Sequence, residues 1–341
     1  MANVNPPVTV IVPTYDRVEL LREAIDSALA QTFGELVVLV GDNGGNEATE
    51  DVVRGYADPR VRYLRHLRNL GPTGNWLELV RRADTPLVAS LHDDDTWEPT
   101  FLEKTVPPLL EDPEVSLVFT DFWSTDGDGE RRVEYSEQLS RVTHRDELPA
   151  GRFSGTAEQT LRLVAVWNAV QPAYAGVLRR RAVVDTEFDD EVGSIYDLWL
   201  TYRLASRGEA MYYVPERLTN YRVWEGSLTA AGPARAEDHV FSRIVDECAE
   251  LHPAVDEVAA RWAGLRYGRA GRLMASKDGR DASRAELRAA APHLHGVHRA
   301  VATVAGGSAI GWDAVRLARA TSRRLPTAAL ARVRRANDPN A

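Results

Sequence analysis

His92-Asp93-Asp94-Asp95 sets three consecutive carboxylates directly after the apolar run Leu87 to Leu91. Adjacent like charges repel, so the cluster is costly unless a cation or a solvated turn offsets it. The Asp93-x-Asp95 spacing offers hard oxygen ligands and leaves octahedral positions for water and diphosphate oxygens, chemistry suited to Mg²⁺ or Mn²⁺. Taken alone, the same residues are also an acidic turn ahead of the helix that follows Pro99. Two more polar groups follow β-branched runs: Pro13-Thr14-Tyr15-Asp16-Arg17 after Val8 to Val12, and Gly41-Asp42-Asn43-Gly44-Gly45 after Glu35 to Val40. Asp42 can accept from the N–H of a pyrimidine base, and Tyr15 can pack on the base or ribose. In isolation they are equally a turn and a core aromatic. Arg68-Asn69-Leu70-Gly71-Pro72-Thr73-Gly74-Asn75 leads into a helix whose N–H groups near Asn75 can approach a ligand or simply end a loop. In Ile195-Tyr196-Asp197-Leu198-Trp199-Leu200, one carboxylate opens an otherwise apolar helix. Asp197 reads as a general base for a hydroxyl, or as a charge that complements the helix dipole.

Short strands alternating with helical segments must carry these groups. Strands are expected at Val8 to Val12, Glu35 to Val40, Val61 to Leu64, Leu87 to Leu91 and Val115 to Thr120. Between them lie helices at Arg17 to Gln31, with Asp16 and Glu19 resembling a capping box, then at Ala48 to Tyr56, Asn75 to Ala83 and Phe101 to Leu110. The alternation predicts an α/β fold with a mostly parallel central sheet flanked by helices. Ligands of such sheets bind beyond the carboxyl ends of the strands, where all three groups fall. From Asp121 to Arg152 the periodicity fades and a long mobile excursion is expected. A helix at Ala157 to Val166, a strand at Tyr174 to Leu178, a helix at Ile195 to Ser206 and strands at Ala210 to Val214 and Leu218 to Val223 follow. Beyond Ala234 the pattern is helical only. The expected domains are 1–232, with a change of pattern after residue 121, and a helical C-terminal region, 233–341.

A net charge of -9 over 341 residues argues against a general nucleic-acid binder. The single cysteine, Cys248, cannot form an internal disulfide and suits a reducing compartment. No signal peptide is expected at the N-terminus and no run of about 18 apolar residues occurs, so the expected location is cytoplasmic. Arg316, Arg319, Arg323, Arg324, Arg332, Arg334 and Arg335 form a basic tail, either a solvated helix face or a peripheral contact with anionic lipid at the inner membrane face. No glycine-rich turn follows the first strand and no Gly-x-x-x-x-Gly-Lys loop occurs, which argues against dinucleotide and P-loop enzymes.

Over Val8 to Leu228 the chain resembles the inverting family-2 glycosyltransferases of the GT-A fold. The resemblance rests on Ile11-Val12-Pro13-Thr14-Tyr15-Asp16-Arg17, Asp42, Asn69-Leu70-Gly71, His92-Asp93-Asp94-Asp95, Tyr196-Asp197-Leu198-Trp199-Leu200 and Tyr221-Arg222-Val223-Trp224-Glu225-Gly226-Ser227-Leu228. It implies that Thr14, Tyr15 and Asp42 hold the nucleoside of a UDP- or dTDP-sugar and that Asp94 lies near the ribose. Pro13, Asn69, Gly71 and Asp93 complete the implied nucleotide site. Asp95, with Asp93 as first member of the Asp-x-Asp signature, would bind Mn²⁺ or Mg²⁺. Asp197 would be the base that deprotonates the acceptor hydroxyl, and Trp167, Asn168, Trp199 and Trp224 would shape the acceptor side. Three positions depart from the family: Tyr196 replaces the first acid of an acidic pair, Trp224 stands where some relatives carry a histidine, and Gly41 replaces a second aspartate. The alternative is a catalytically silent nucleotide-binding or scaffolding protein with a GT-A fold.

Overall fold

The structure is a computed structural model that describes residues 7–44, 47–153, 156–224, 226–227, 234–250, 254–275 and 279–322. The chain forms two compact units, Met1–Ala254 and Val255–Ala341.

The first unit is built on a nine-stranded sheet. Strands β1 (Val8–Thr14), β2 (Leu36–Asp42), β3 (Val61–Arg65) and β4 (Leu87–Ser90) are parallel neighbours in the order β3-β2-β1-β4. They alternate with helices α1 (Val18–Leu29), α2 (Glu47–Arg54) and α3 (Gly71–Arg82). Val8, Val10 and Val12 pack against Leu21, Ala24, Ile25 and Ala28 of α1, and Thr9 and Ile11 on the opposite face are buried as well. Burial on both faces explains why β1 is a continuous apolar run rather than an alternating one.

Beyond β4 the sheet becomes mixed. After β5 (Thr96–Trp97) and α4 (Phe101–Glu111) come β6 (Val115–Thr125), α5 (Val133–Val142), β7 (Gly151–Phe153), α6 (Ala157–Leu161) and a π-helical turn, Arg162–Val166. A short helix α7 (Pro172–Ala175) leads into β8 (Gly176–Arg179), followed by α8 (Arg180–Val184), α9 (Tyr196–Ser206), β9 (Ala210–Arg222) and α10 (Ala234–Glu247). β8 is antiparallel to both β4 and β6, while β9 is parallel to β6 and antiparallel to β5 and β7.

Several expectations are corrected. The excursion after Asp121 is ordered: β6 continues to Thr125, Ser124 N donates to Ser136 Oγ of α5 at 2.9 Å, and β7 joins the sheet edge. The two strands expected from Ala210 are one, with register shifts against β6 between Thr120 and Phe122 where the pattern breaks. Asp16 makes no side-chain cap to α1: Arg17 is the N-cap residue, and Asp16 has φ 57°. The first unit continues past residue 232 and takes in α10, whose Val240, Phe241 and Ile244 are buried.

The described residues of the second unit form the helices Ala254–Leu273, Arg280–Ala290, Gly296–Gly307 and Ala309–Ser322. Its core joins Ala263, Ala270, Met274, Leu287, Ala302, Ala305 and Trp312. Among the described residues no helix is long and apolar enough to cross a membrane. Arg323, Arg324, Arg332, Arg334 and Arg335 of the basic tail lie outside the described residues, as does the side chain of Arg319.

Candidate active site

The carboxyl ends of β1, β2 and β4 meet at one edge because β1 is central to the three. Pairing sets Thr14 opposite Asp42, and Leu91 N donates to Ile11 O at 3.1 Å, which carries the acidic segment up beside the end of β1. Thr14 Oγ1 donates to Asp93 Oδ2 at 2.7 Å, and Tyr15 N reaches the same oxygen at 3.4 Å. Arg17 Nη1 bridges Asp93 Oδ1 at 3.0 Å and Asp94 Oδ2 at 2.9 Å. From β9, Arg222 N donates to Asp95 Oδ1 at 2.8 Å and Arg222 Nε to Asp94 O at 3.0 Å. Its Nη2 pairs with Glu23. Trp224 Nε1 donates to Asp94 Oδ2 at 3.1 Å, and Arg17 lies over the Trp224 ring at 5.3 Å.

All three carboxylates are buried. Burial, then the charge of Asp94, pushes the Asp93 carboxyl up to about 6 and raises that of Asp95 well above the usual carboxylate range. Asp95 Oδ2 is buried with no hydrogen-bond partner among the described residues. It belongs to a group, His92, Asp94 and Asp95, whose potential ligand atoms lie within 4.8 Å of one another. An orphaned carboxylate oxygen amid excess negative charge fits a divalent cation, and two oxygens with one imidazole suit Mn²⁺. Burial lowers the pKa of His92, which keeps the imidazole in the neutral form that can ligate. Its Nε2 is 2.9 Å from Tyr196 Oη, the kind of outer partner that fixes a ligating ring.

Asp197 opens α9 and is partly buried. Burial raises the hydroxyl pKa of Tyr174 and of Tyr196 far above normal, and the Asp197 and Asp95 carboxylates add to both shifts. The Asp197 carboxylate accepts from Leu198 N at 2.9 Å. Tyr196 is held in place by Trp76, ring centroids 4.8 Å apart, and Trp76 Nε1 donates to Ser90 Oγ at 2.9 Å.

The β2 end forms a second polar network. Asp42 Oδ2 accepts from Tyr63 Oη at 2.6 Å. Asn43 Nδ2 donates to Asn69 Oδ1 and Gly71 O, both at 3.0 Å, while Leu70 N donates to Asn43 Oδ1 at 2.7 Å. Gly71, at φ 75°, turns the chain into α3, which starts a full turn earlier than expected. Asn75 is thus inside the helix, buried, and bonded to Gly41 O at 2.8 Å rather than presented to a ligand. A Cβ at Gly41 would lie 2.6 Å from Asn75 Oδ1 and 2.7 Å from Leu79, so close packing of α3 excludes an aspartate there. Tyr15 is 56% exposed and lies against Gly44, so it is not a core aromatic.

A protein-family model described as Glycosyl transferase family 2 matches residues 9–166. The GalNAc(5)-diNAcBac-PP-undecaprenol beta-1,3-glucosyltransferase of Campylobacter jejuni is 37% identical over 247 residues, 69% of this chain and 71% of that protein. The chain belongs to glycosyltransferase family 2. It is an enzyme of glycosyl transfer. The fold is that of GT-A enzymes: Staphylococcus aureus TarS 1-349, solved in complex with UDP-GlcNAc, superposes with TM-score 0.64 at 15% identity, covering 93% of this chain and 91% of that one. A mannosyltransferase of Pyrobaculum calidifontis, in complex with GDP-Man and Mn²⁺, gives TM-score 0.52 at 19% identity over 85% and 87% of the two chains. The match to the succinoglycan biosynthesis protein ExoO of Rhizobium meliloti is shorter, 36% identical over 101 residues, 30% of this chain and 29% of that protein.

For this glycosyltransferase, Pro13, Thr14, Tyr15, Asp42, Asn69, Gly71, Asp93, Asp94 and Asp95 are gathered at the carboxyl ends of β1, β2 and β4, and Asp197 lies in the first turn of α9. Asp93 accepts from Thr14 and Arg17, and the residues whose potential ligand atoms converge are His92, Asp94 and Asp95. Trp224 bonds Asp94 of the acidic cluster. Trp199 is 1% exposed, donates to Glu187 O at 2.8 Å and packs against Arg243 of α10 at 4.1 Å, so it is a core residue. Trp167 is partly buried with its ring 4.7 Å from His144, and Asn168 has φ 53°. Arg17, His92, Tyr196 and Arg222 received no role from the sequence. Each adjoins a motif residue, but their convergence depends on β9 returning beside β6.

Proposed function

We propose that this enzyme moves a sugar from a UDP- or dTDP-sugar to an acceptor hydroxyl with inversion at the anomeric carbon. Tyr15 and Asp42 would take the nucleoside, Tyr15 as an exposed platform and Asp42 as an acceptor braced by Tyr63. His92, Asp94 and Asp95 would hold Mn²⁺ or Mg²⁺, with His92 supplying the imidazole that is missing at Trp224. When bound, the ion would act as a Lewis acid toward the departing nucleoside diphosphate. Asp197 would accept the acceptor proton as the hydroxyl oxygen attacks the anomeric carbon, opposite the departing diphosphate.

The observation that carries this reading is the buried, unpartnered Asp95 Oδ2 beside His92 and Asp94, in reach of the phenols that also feel Asp197. The nucleotide preference takes support from the UDP-GlcNAc held by TarS. For the acceptor, the undecaprenol-linked glycan in the name of the Campylobacter relative favours a lipid-linked sugar reached from the membrane surface. The proposed division of labour keeps nucleotide binding in residues 1–121 and the acceptor side in residues 122–232.

Thermal shifts with UDP, dTDP, GDP and CDP, each with Mn²⁺ or chelator, test the donor site. A ligand at about a hundred times its dissociation constant adds about 2.7 kcal/mol. Asp197→Asn should retain the nucleotide shift while turnover falls about 10²-fold or more. A variant with wild-type turnover would remove Asp197 from the mechanism. No shift with any nucleotide would remove the donor site proposed here.

A further inference from the structure

Arg17 is the side chain that ties the acidic cluster to the strap after β9. Its Nη1 lies 3.0 Å from Asp93 Oδ1 and 2.9 Å from Asp94 Oδ2, its Nη2 donates to Gly226 O at 2.8 Å, and its plane covers Trp224 at 5.3 Å. Trp224 Nε1 donates to the same Asp94 oxygen. The Arg17 side chain is 19% exposed against 6% for Asp93 and 10% for Asp94, so it stands at the mouth of the cluster with the carboxylates behind it. A divalent ion that takes Asp94 together with His92 and Asp95 must share that carboxylate with a guanidinium already on it. Two cations on one carboxylate repel, so a metal ion on Asp94 weakens the hold of that carboxylate on the guanidinium. A planar guanidinium at the mouth of a cation site has a ready alternative in a diphosphate, whose oxygens match its fork geometry.

We propose that Arg17 is a resident counter-ion that exchanges partners. It neutralises Asp93 and Asp94 before loading, and passes to the donor's diphosphate once a metal ion takes Asp94. Gly226 and Trp224 keep the guanidinium at the mouth during the exchange, so charge on the cluster is never left without a partner. The inference rests on the metal- and nucleotide-binding reading given above.

Calorimetric titrations of the full chain with Mn²⁺ alone, and with UDP at saturating Mn²⁺, test it in wild type, Arg17→Gln and Arg17→Lys. Losing the competing cation should tighten Mn²⁺ binding to Arg17→Gln about tenfold, while losing the diphosphate partner weakens UDP about tenfold. Arg17→Lys should keep the wild-type Mn²⁺ affinity and recover only some of the UDP affinity, because an ammonium lacks the fork. If Arg17 served only to shape the site, Arg17→Gln would bind both ligands more weakly, and that result overturns the exchange. Unchanged UDP affinity in Arg17→Gln overturns it too. Should Arg17→Gln not fold, as judged by near-UV circular dichroism, Arg17→Lys decides by UDP affinity: a value equal to wild type rejects the exchange. Wild type that binds neither Mn²⁺ nor UDP removes the functional reading and the exchange together, whereas wild type that binds both, with unaffected variants, removes the exchange alone.

Discussion

A buried acidic cluster that serves a ligand should weaken the protein that lacks the ligand, and Asp95→Asn measures this. Potential ligand atoms of His92, Asp94 and Asp95 lie within 4.8 Å of one another. At an effective dielectric of about 20, two like charges at that spacing repel by about 3.5 kcal/mol. Asp93 gives a second gauge: its carboxyl rises from 3.8 to about 6, through burial first and Asp94 next, which corresponds to about 3 kcal/mol against the ionised form. The sign follows from proton linkage. Folded protein with a raised carboxyl pKa binds more protons than unfolded chain between about pH 4 and 6, so stability drops as pH rises through that window. The asparagine of Asp95→Asn would still accept from Arg222 N while lacking the charge, so in chelator at pH 8 this variant should be more stable than wild type by about 1–3 kcal/mol, a midpoint higher by about 3–6 °C. The gap should narrow at pH 4.5, where the raised pKa values of Asp93 and Asp95 favour their protonated forms in folded wild type. With Mn²⁺ the order should reverse, because wild type gains binding energy that the variant lacks. Thermal melts followed by circular dichroism at the two pH values, in chelator and in Mn²⁺, provide the comparison. A variant less stable than wild type in chelator would show that the cluster carries no electrostatic burden, and an undiminished Mn²⁺ shift would show that Asp95 is not a ligand.

Tyr196→Phe removes the hydroxyl on His92 Nε2 but keeps the ring on Trp76; Mn²⁺ affinity should fall about tenfold with the midpoint in chelator little changed, and equal affinity would make the contact incidental. Trp199→Ala should cost about 3–5 kcal/mol in urea unfolding, since the indole is buried, yet leave the acceptor KM of the surviving folded enzyme near wild type; a raised KM with full stability would restore Trp199 to the acceptor site. Gly41→Ala drives a methyl into Asn75 and Leu79, and the expected loss is about 1–3 kcal/mol by denaturant titration, with a neutral result meaning that α3 gives way without cost.

The nucleotide half is legible in the sequence because its signals are local. Each of β1, β2 and β4 is an apolar run buried on both faces, and a polar group after each run has to fall at the same end once the strands are parallel. What is not legible depends on contacts distant in sequence. The segment after Asp121 lacks an apolar pattern because its helix is polar, with Ser136 and Ser140 as its buried residues. Ser140 Oγ donates to Asp121 Oδ2 at 3.1 Å and Arg145 Nε to Asp121 Oδ1 at 2.8 Å, an ion-paired anchor that hydrophobic periodicity does not register. Trp199 reads as an acceptor-side residue because it stands two positions from Asp197, the expected base, and its burial depends on α10, which by composition belongs with the C-terminal helices.

The family departures make physical sense together. Gly41 stands where a second aspartate is common because α3 packs so tightly on β2 that a Cβ would meet Asn75, and Asn75 in turn bonds the Gly41 carbonyl and His66. Tyr196 replaces an acid that would have added a further negative charge close to Asp95 and Asp197; its phenol bonds His92 instead and stays protonated, as burial demands. Trp224 gives up an imidazole but bonds Asp94 and backs Arg17, while His92 offers an imidazole from the segment after β4. Each exchange lowers the negative charge around the cluster or adds a donor to it. If these changes evolved as a set, restoring one alone should be harmful: Tyr196→Glu would bury another carboxylate near three others and, by the repulsion worked out for Asp95, destabilise metal-free protein by about 3 kcal/mol or more. Chelator melts of Tyr196→Glu against Tyr196→Phe separate the added charge from the lost hydroxyl, and equal midpoints would mean that the cluster tolerates the charge.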